Sequence, residues 1–250
     1  MNLVFYDSFI GNEFCNMDLK FINGDDEHLY NKNLEKQPID WIYRNSKVVY
    51  SHNDLGHRSK HTTNLNFDDY ILFTGCSHTY GLGLKLDTTY VYKLAHYLKK
   101  DYYNLSLPST GIDVLTYNLL SWITKFPKPK HIFIQWPEEL RFLTQNKETK
   151  NLYSSKGVWL DNNDYSRFLV LGDDVSYWQT RAYLSYKLIK QNLDNLNIKS
   201  TFISFAYNNK FNIPEYINRV DQVDQARDLI HPGIKTNDDL YNKIIKTIDN

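Results

Sequence analysis

The sequence predicts an α/β domain: a three-layer αβα sandwich around a central parallel sheet, flavodoxin-like in strand order. Three observations lead there. Stretches that read as strands, from apolar runs or β propensity, recur at residues 71–75, 102–105, 131–136 and 200–205. Segments with apolar residues at helical spacing separate them, and that alternation calls for right-handed crossovers between parallel strands. The first run ends in a Gly/Ser turn, and open α/β sheets bind ligands beyond the carboxyl ends of their strands.

Taken in order, residues 1–46 mix short apolar pieces (Leu3–Tyr6, Trp41–Tyr43) with polar gaps. They read as an irregular extension packed on a domain that spans 47–250. Lys47-Val48-Val49-Tyr50 reads as a short strand. The hexamer Asn53-Asp54-Leu55-Gly56-His57-Arg58 follows and reads as a polar turn with Gly56 at a positive φ. His57 and His61 are four apart and could share a helix face, but zinc needs a third ligand and a stronger pattern, so no metal site is expected. Tyr70-Ile71-Leu72-Phe73 is a buried strand that runs into Gly75-Cys76-Ser77, with Gly81 and Gly83 beyond. A helix begins near Asp87 or Thr88 as its cap, with Tyr90, Val91, Leu94, Ala95 and Leu98 along one face. Tyr102–Leu105 is the second strand, and Asn104 to Gly111 a turn-rich loop. Ile112, Leu115, Leu119 and Ile123 mark the next helix.

Pro127 and Pro129 break the chain before the strand His131–Trp136. From about 137 to 174 the periodicity is lost. A loop of that length serves a site or elaborates the surface, and it is read as a lid-like insertion. Val175–Leu196 is a long helix and Ser200–Phe205 a strand. Ile213–Val220 reads as a short helix. Asn237–Ile248 closes the chain, with Asn237 as candidate cap.

Composition limits the function classes. Lys+Arg and Asp+Glu both number 29, so the formal charge is zero, which argues against a dedicated nucleic-acid binder. No apolar run approaches the roughly 20 residues of a membrane span. The start lacks a basic region followed by a sustained apolar one, so no signal peptide is expected. With only Cys15 and Cys76, no disulfide framework is expected either. A cytoplasmic location, or carriage in a particle, is the expectation; nothing points to an oligomeric state.

The chemistry lies in two short motifs near opposite ends of the α/β pattern. Gly75-Cys76-Ser77 follows the first strand, and Asp228-Leu229-Ile230-His231-Pro232 lies near the C-terminus. Alone, each reads equally as a turn. Together and in this order they resemble the first and last blocks of the SGNH, or GDSL-type, hydrolases, over roughly residues 47–250. Asn53–Arg58 is similar to an Asn-x-x-Gly-aromatic-Arg segment in one branch of that family, where Arg58 would anchor the segment near the site. The resemblance implies a serine esterase fold, Ser77 as nucleophile, His231 as base and Asp228 as the acid that orients it, with no cofactor. It implies an oxyanion hole from the Ser77 N–H and a second-block backbone donor at Ser109 or, after a shift, at Gly111.

Two departures from the family stand out. Cys76 replaces its aspartate; a cysteine nucleophile is conceivable there, but the motif assigns that position to Ser77. The third block, Gly-x-Asn-Asp in the family, reads Gln135-Trp136-Pro137-Glu138-Glu139. Loss of one oxyanion donor costs about 100- to 1000-fold in turnover. Gln135, Trp136 or Arg141 is expected to fill the gap, with His78 and Asn104 as further substrate-facing residues and Glu138 turned away. The implied substrates are small acyl esters, with an acetylated carbohydrate preferred. An acyltransferase using the same three residues is the first alternative. A catalytically impaired binding module on the same fold is the second.

Overall fold

The computed structural model describes residues 9–138, 141–145, 152–156, 175–204, 216–217 and 221–249. Strand β1 (Asp18–Leu19) pairs antiparallel with β2 (Tyr50–Ser51). Between them lies α1 (Glu27–Lys36), where the Asp26 carboxylate accepts the Leu29 N–H at 2.8 Å. This helix corrects the expectation of an irregular N-terminal segment. Its only fully buried side chain is Asn33, so no apolar stripe betrays it. Of the strand expected at 47–50, only Tyr50 lies in a strand, β2.

The chain then enters β3 (Tyr70–Thr74), α2 (Ser77–Tyr80), α3 (Tyr90–Tyr97), β4 (Asp101–Asn104), α4 (Ile112–Lys125) and β5 (His131–Trp136). Next come β6 (Phe142–Gln145) and β7 (Leu152–Lys156), an antiparallel pair within the stretch read as a lid; the rest of that stretch is mostly outside the described residues. The helix α5 (Val175–Asn195), β8 (Lys199–Ser204), β9 (Tyr216–Ile217) and α6 (Ile234–Ile248) complete the order.

Five parallel strands form one sheet in the order β4-β3-β5-β8-β9, so the first of them lies second, as in flavodoxin-like sheets. Where a helix was expected over 213–220, the described pair Tyr216–Ile217 is this edge strand. Side-chain alternation sorts the two faces. Tyr70, Leu72, Ile132, Ile134 and Phe202 pack against α4 and α5, with Trp122 as the largest plug. Ile71, Phe73, Phe133 and Ile203 pack against α3 and α6. Each such side chain contributes about 1.5–3 kcal/mol by leaving water. Two caps differ from expectation. Thr89, after a 3-10 turn at Leu86–Thr88, caps α3 by accepting the Tyr92 N–H. Helix α6 starts after Gly233, so Asn237 lies inside it and accepts the Tyr90 N–H, tying α6 to α3. No helix among the described residues is long and apolar enough to cross a membrane.

The N-terminal residues are not peripheral to the core. Phe9, Ile10, Ile22, Tyr43 and Tyr50 are buried, and the Asn118 amide on α4 bonds both the N–H and the carbonyl of Ile10. His57 and His61 do not share a helix: His57 is buried in a loop and His61 flanks a 3-10 turn.

Candidate active site

The site begins with a glycine. A Cβ on Gly75 would lie 2.5 Å from Thr79 Oγ1 and 2.7 Å from Gln135 Oε1, so only glycine lets β3 turn this tightly into α2. Gln135, at the end of β5, holds that turn: its Oε1 accepts the Cys76 N–H at 2.8 Å and the Thr79 hydroxyl at 3.2 Å, while its Nε2 donates to the Trp136 carbonyl. Ser77 then opens α2, and as a first-turn residue its N–H has no acceptor inside the helix.

From the other end of the chain comes the loop before α6. Asp228 is 1% exposed and uses both oxygens. Oδ1 accepts the Ile230 and His231 N–H groups, each at 3.0 Å, and Oδ2 meets His231 Nδ1. A carboxylate only accepts, so Nδ1 carries the proton and Nε2 keeps a lone pair. That lone pair faces Ser77 Oγ at 2.8 Å. Ser77 is 3% exposed, and the His231 side chain 15%. Leu229 between the two polar residues has φ 58°, a left-handed conformation that costs a branched side chain about 1–2 kcal/mol. The Leu229 N–H bond to Ala226 O and the Ala226 N–H bond to His231 O hold it there.

The other sequence-nominated residues have different surroundings. Asn104 is buried; its amide donates to Thr79 O and accepts the Ser106 N–H, so it braces the serine helix. Gln135 is likewise consumed in the scaffold. Trp136 is buried on the α4–α5 face of the sheet, 6.4 Å from Phe202 ring to ring. His78 stands edge-on to the His231 ring at 5.4 Å. Ser109 has φ 58°, in the left-handed region that a glycine would favour. Gly111 caps α4, and a Cβ on it would lie 2.9 Å from Arg141 O. Arg141 reaches the Thr110 carbonyl at 3.4 Å and lies 3.6 Å from Glu138, whose carboxylate is thereby drawn toward it. Cys76 Sγ is 4.0 Å from Ser77 Oγ and buried.

Arg58 is the residue whose importance is larger than its motif suggested. It is 1% exposed and donates to four carbonyls, those of Val49, Tyr80, Gly81 and Leu84, with its guanidinium 4.7 Å from the Tyr50 ring and 5.5 Å from that of Tyr80. It thereby fastens the chain that leaves α2.

No family model matches the sequence, and no curated protein does. Among solved structures, an acetyl xylan esterase from Butyrivibrio proteoclasticus is similar at 12% identity and TM-score 0.46; the match covers 72% of this chain and 63% of that one, so the chain spans less than two thirds of its length. A member of the lipolytic G-D-S-L family from Veillonella parvula is similar at 11% identity and TM-score 0.43, over 71% and 96% of the two chains. A psychrotrophic esterase from Pseudoalteromonas is similar at 16% identity and TM-score 0.43, over 73% and 100%.

Proposed function

We propose that this protein is a serine ester hydrolase of the SGNH type, acting on small acyl esters through Ser77, His231 and Asp228. The observation that carries the reading is the 2.8 Å approach of His231 Nε2 to Ser77 Oγ, with the opposite ring nitrogen held by a buried carboxylate. A serine hydroxyl is a weak nucleophile until a base takes its proton, and a base works best when a third group fixes its tautomer.

In this mechanism Ser77 Oγ attacks the acyl carbon while His231 Nε2 accepts the hydroxyl proton. Asp228 stabilises the imidazolium. The oxyanion of the tetrahedral intermediate accepts from the Ser77 N–H and from a backbone donor at Ser109 or Gly111. His231 returns the proton to the departing alkoxide. Water then repeats the sequence on the acyl-enzyme and releases the acid. The sequence resemblance directs the substrate search to O-acetyl esters of carbohydrates.

A panel of chromogenic acyl esters and acetylated glycans tests the proposal. Turnover of at least one short-chain ester is expected, abolished by Ser77→Ala in a protein with unchanged circular dichroism. No turnover on any member would replace this reading with a non-catalytic binding module, and near-wild-type turnover by Ser77→Ala would rule out Ser77 as the nucleophile.

A further inference from the structure

The serine loop and the acid–base loop touch at Gly83. Its φ is 75°, and a Cβ there would lie 2.8 Å from Ala226 Cβ and 3.1 Å from Arg227 N. The Gly83 carbonyl accepts the Arg227 N–H at 3.2 Å, and the Gly83 N–H donates to the Tyr50 hydroxyl oxygen at 2.8 Å. Tyr50 in turn donates to Asp25 Oδ2. Arg227 Nε donates to both Asp25 oxygens, at 3.0 and 3.1 Å, and Nη2 adds the Lys20 carbonyl at 2.8 Å. The result is a closed circuit, Gly83–Tyr50–Asp25–Arg227–Gly83. The Arg227 guanidinium is further held 4.9 Å from the Phe21 ring and 5.1 Å from that of Tyr30, and Asn33 on α1 donates to the Arg227 carbonyl.

This circuit is buried: Tyr50 is 0% exposed, Asp25 1% and Arg227 3%. A buried ion pair is a poor way to gain stability, because desolvation offsets most of the attraction and apolar residues of similar volume often serve as well. What the pair supplies is fixed geometry. Arg227 immediately precedes Asp228, and Gly83 lies six residues beyond Ser77.

We infer that Asp25, Tyr50 and Arg227 are positioning residues that set the Ser77 loop against the Asp228–His231 loop, so that the N-terminal segment completes the active site. None touches a reacting atom; they act through the separation of His231 Nε2 and Ser77 Oγ. The inference rests on the hydrolase reading.

Its test separates positioning from folding. The double variant Asp25→Leu/Arg227→Met removes the ion pair without stranding a charge, and Tyr50→Phe removes one hydroxyl. Two measurements are made on the full chain. One is the rate at which an alkyl fluorophosphonate phosphonylates Ser77, with fluoride leaving and the serine proton passing to His231. The other is the downfield proton resonance of His231 Nδ1–H. The double variant is expected to fold, to react about 10- to 100-fold more slowly, as a small misplacement of reacting groups allows, and to lose the resonance to exchange. Tyr50→Phe is expected to be slower than wild type but faster than the double variant. A folded double variant with wild-type rate and resonance overturns the inference. If the double variant does not fold, Tyr50→Phe decides alone, and a wild-type rate and resonance there overturn the inference. If wild-type Ser77 resists the reagent, the hydrolase reading fails, while the resonance comparison still judges the positioning circuit.

Discussion

At the scale of single residues, the proposed mechanism couples one nucleophile to one base and one orienting carboxylate. Groups that act as a unit lose their effects non-additively. Ser77→Ala and His231→Ala are each expected to lower kcat/KM for the best ester by several orders of magnitude, with the double variant little worse. Asp228→Asn is expected to be comparable or milder: the backbone N–H groups of Ile230 and His231 would hold the amide oxygen, so the amide NH2 would donate to Nδ1 and favour the tautomer that protonates Nε2, while Ser77 and His231 both stay in place. Additive losses would mean that the two residues act independently. Cys76 is a different matter. It is 2% exposed and its sulfur lies 4.0 Å from Ser77 Oγ, beside the nucleophile rather than in its place, whereas His231 faces the serine. Cys76→Ala is therefore expected to keep most of the proposed ester turnover, and thiol alkylation of the native protein not to abolish it at once. Complete inactivation with the fold intact would transfer the nucleophile role to the cysteine.

At the scale of elements, four of the five sheet strands were legible, β3 and β5 as apolar runs and β4 and β8 from aromatic and β-branched residues, and their observed bounds differ from expectation by one residue at most ends, whereas β9 was expected to be helical. Helix α1 was not legible, since its buried contact is made by the amide of Asn33. Gln135 shows the same limit within the site. Its place at the end of β5 suggested a substrate contact, but the side chain points to the face carrying α3 and is spent on the turn before Ser77. Gln135→Leu keeps the volume and strands the buried Cys76 N–H, which costs about 1–3 kcal/mol. The expected result is a lower Tm together with weaker ester turnover, since the turn that presents Ser77 loses its acceptor. Unchanged stability and a raised KM alone would instead return Gln135 to substrate binding.

Over the whole molecule, what sequence reading could not reach is what joins distant segments. Gly75-Cys76-Ser77 and Asp228-Leu229-Ile230-His231 are local patterns, whereas Asp25 and Arg227 lie 202 residues apart and each looks like an ordinary surface charge until the chain folds. The histidines are similar. His52, His57 and His131 appear in polar or mixed stretches, yet burial lowers the pKa of all three. His57 falls to about 3, and His131 to about 4 with Lys199 assisting. His57 is the clearest case: it is 0% exposed, stands edge-on to Phe9, and its Nδ1 meets the Tyr103 hydroxyl at 3.0 Å. That hydroxyl also accepts from the Asn53 amide, and the full burial of the ring disfavours its charged form, so the fold holds the neutral imidazole. In the unfolded chain the same ring binds a proton near pH 6.5. A depressed folded-state pKa means that the stability from the neutral ring is present above about pH 6.5 and is lost as pH falls toward 3, where the folded ring also protonates. The slope is about 1.4 kcal/mol per pH unit for each such group within its window. Urea unfolding at pH 7 and pH 4.5 checks this in the wild type and in His57→Gln. The variant is expected to be less stable at pH 7, because the glutamine fits the aromatic pocket less well, yet to lose clearly less on acidification. Equal losses in the two proteins would assign the acid sensitivity to His52, His131 or the carboxylates and leave His57 without a part in it.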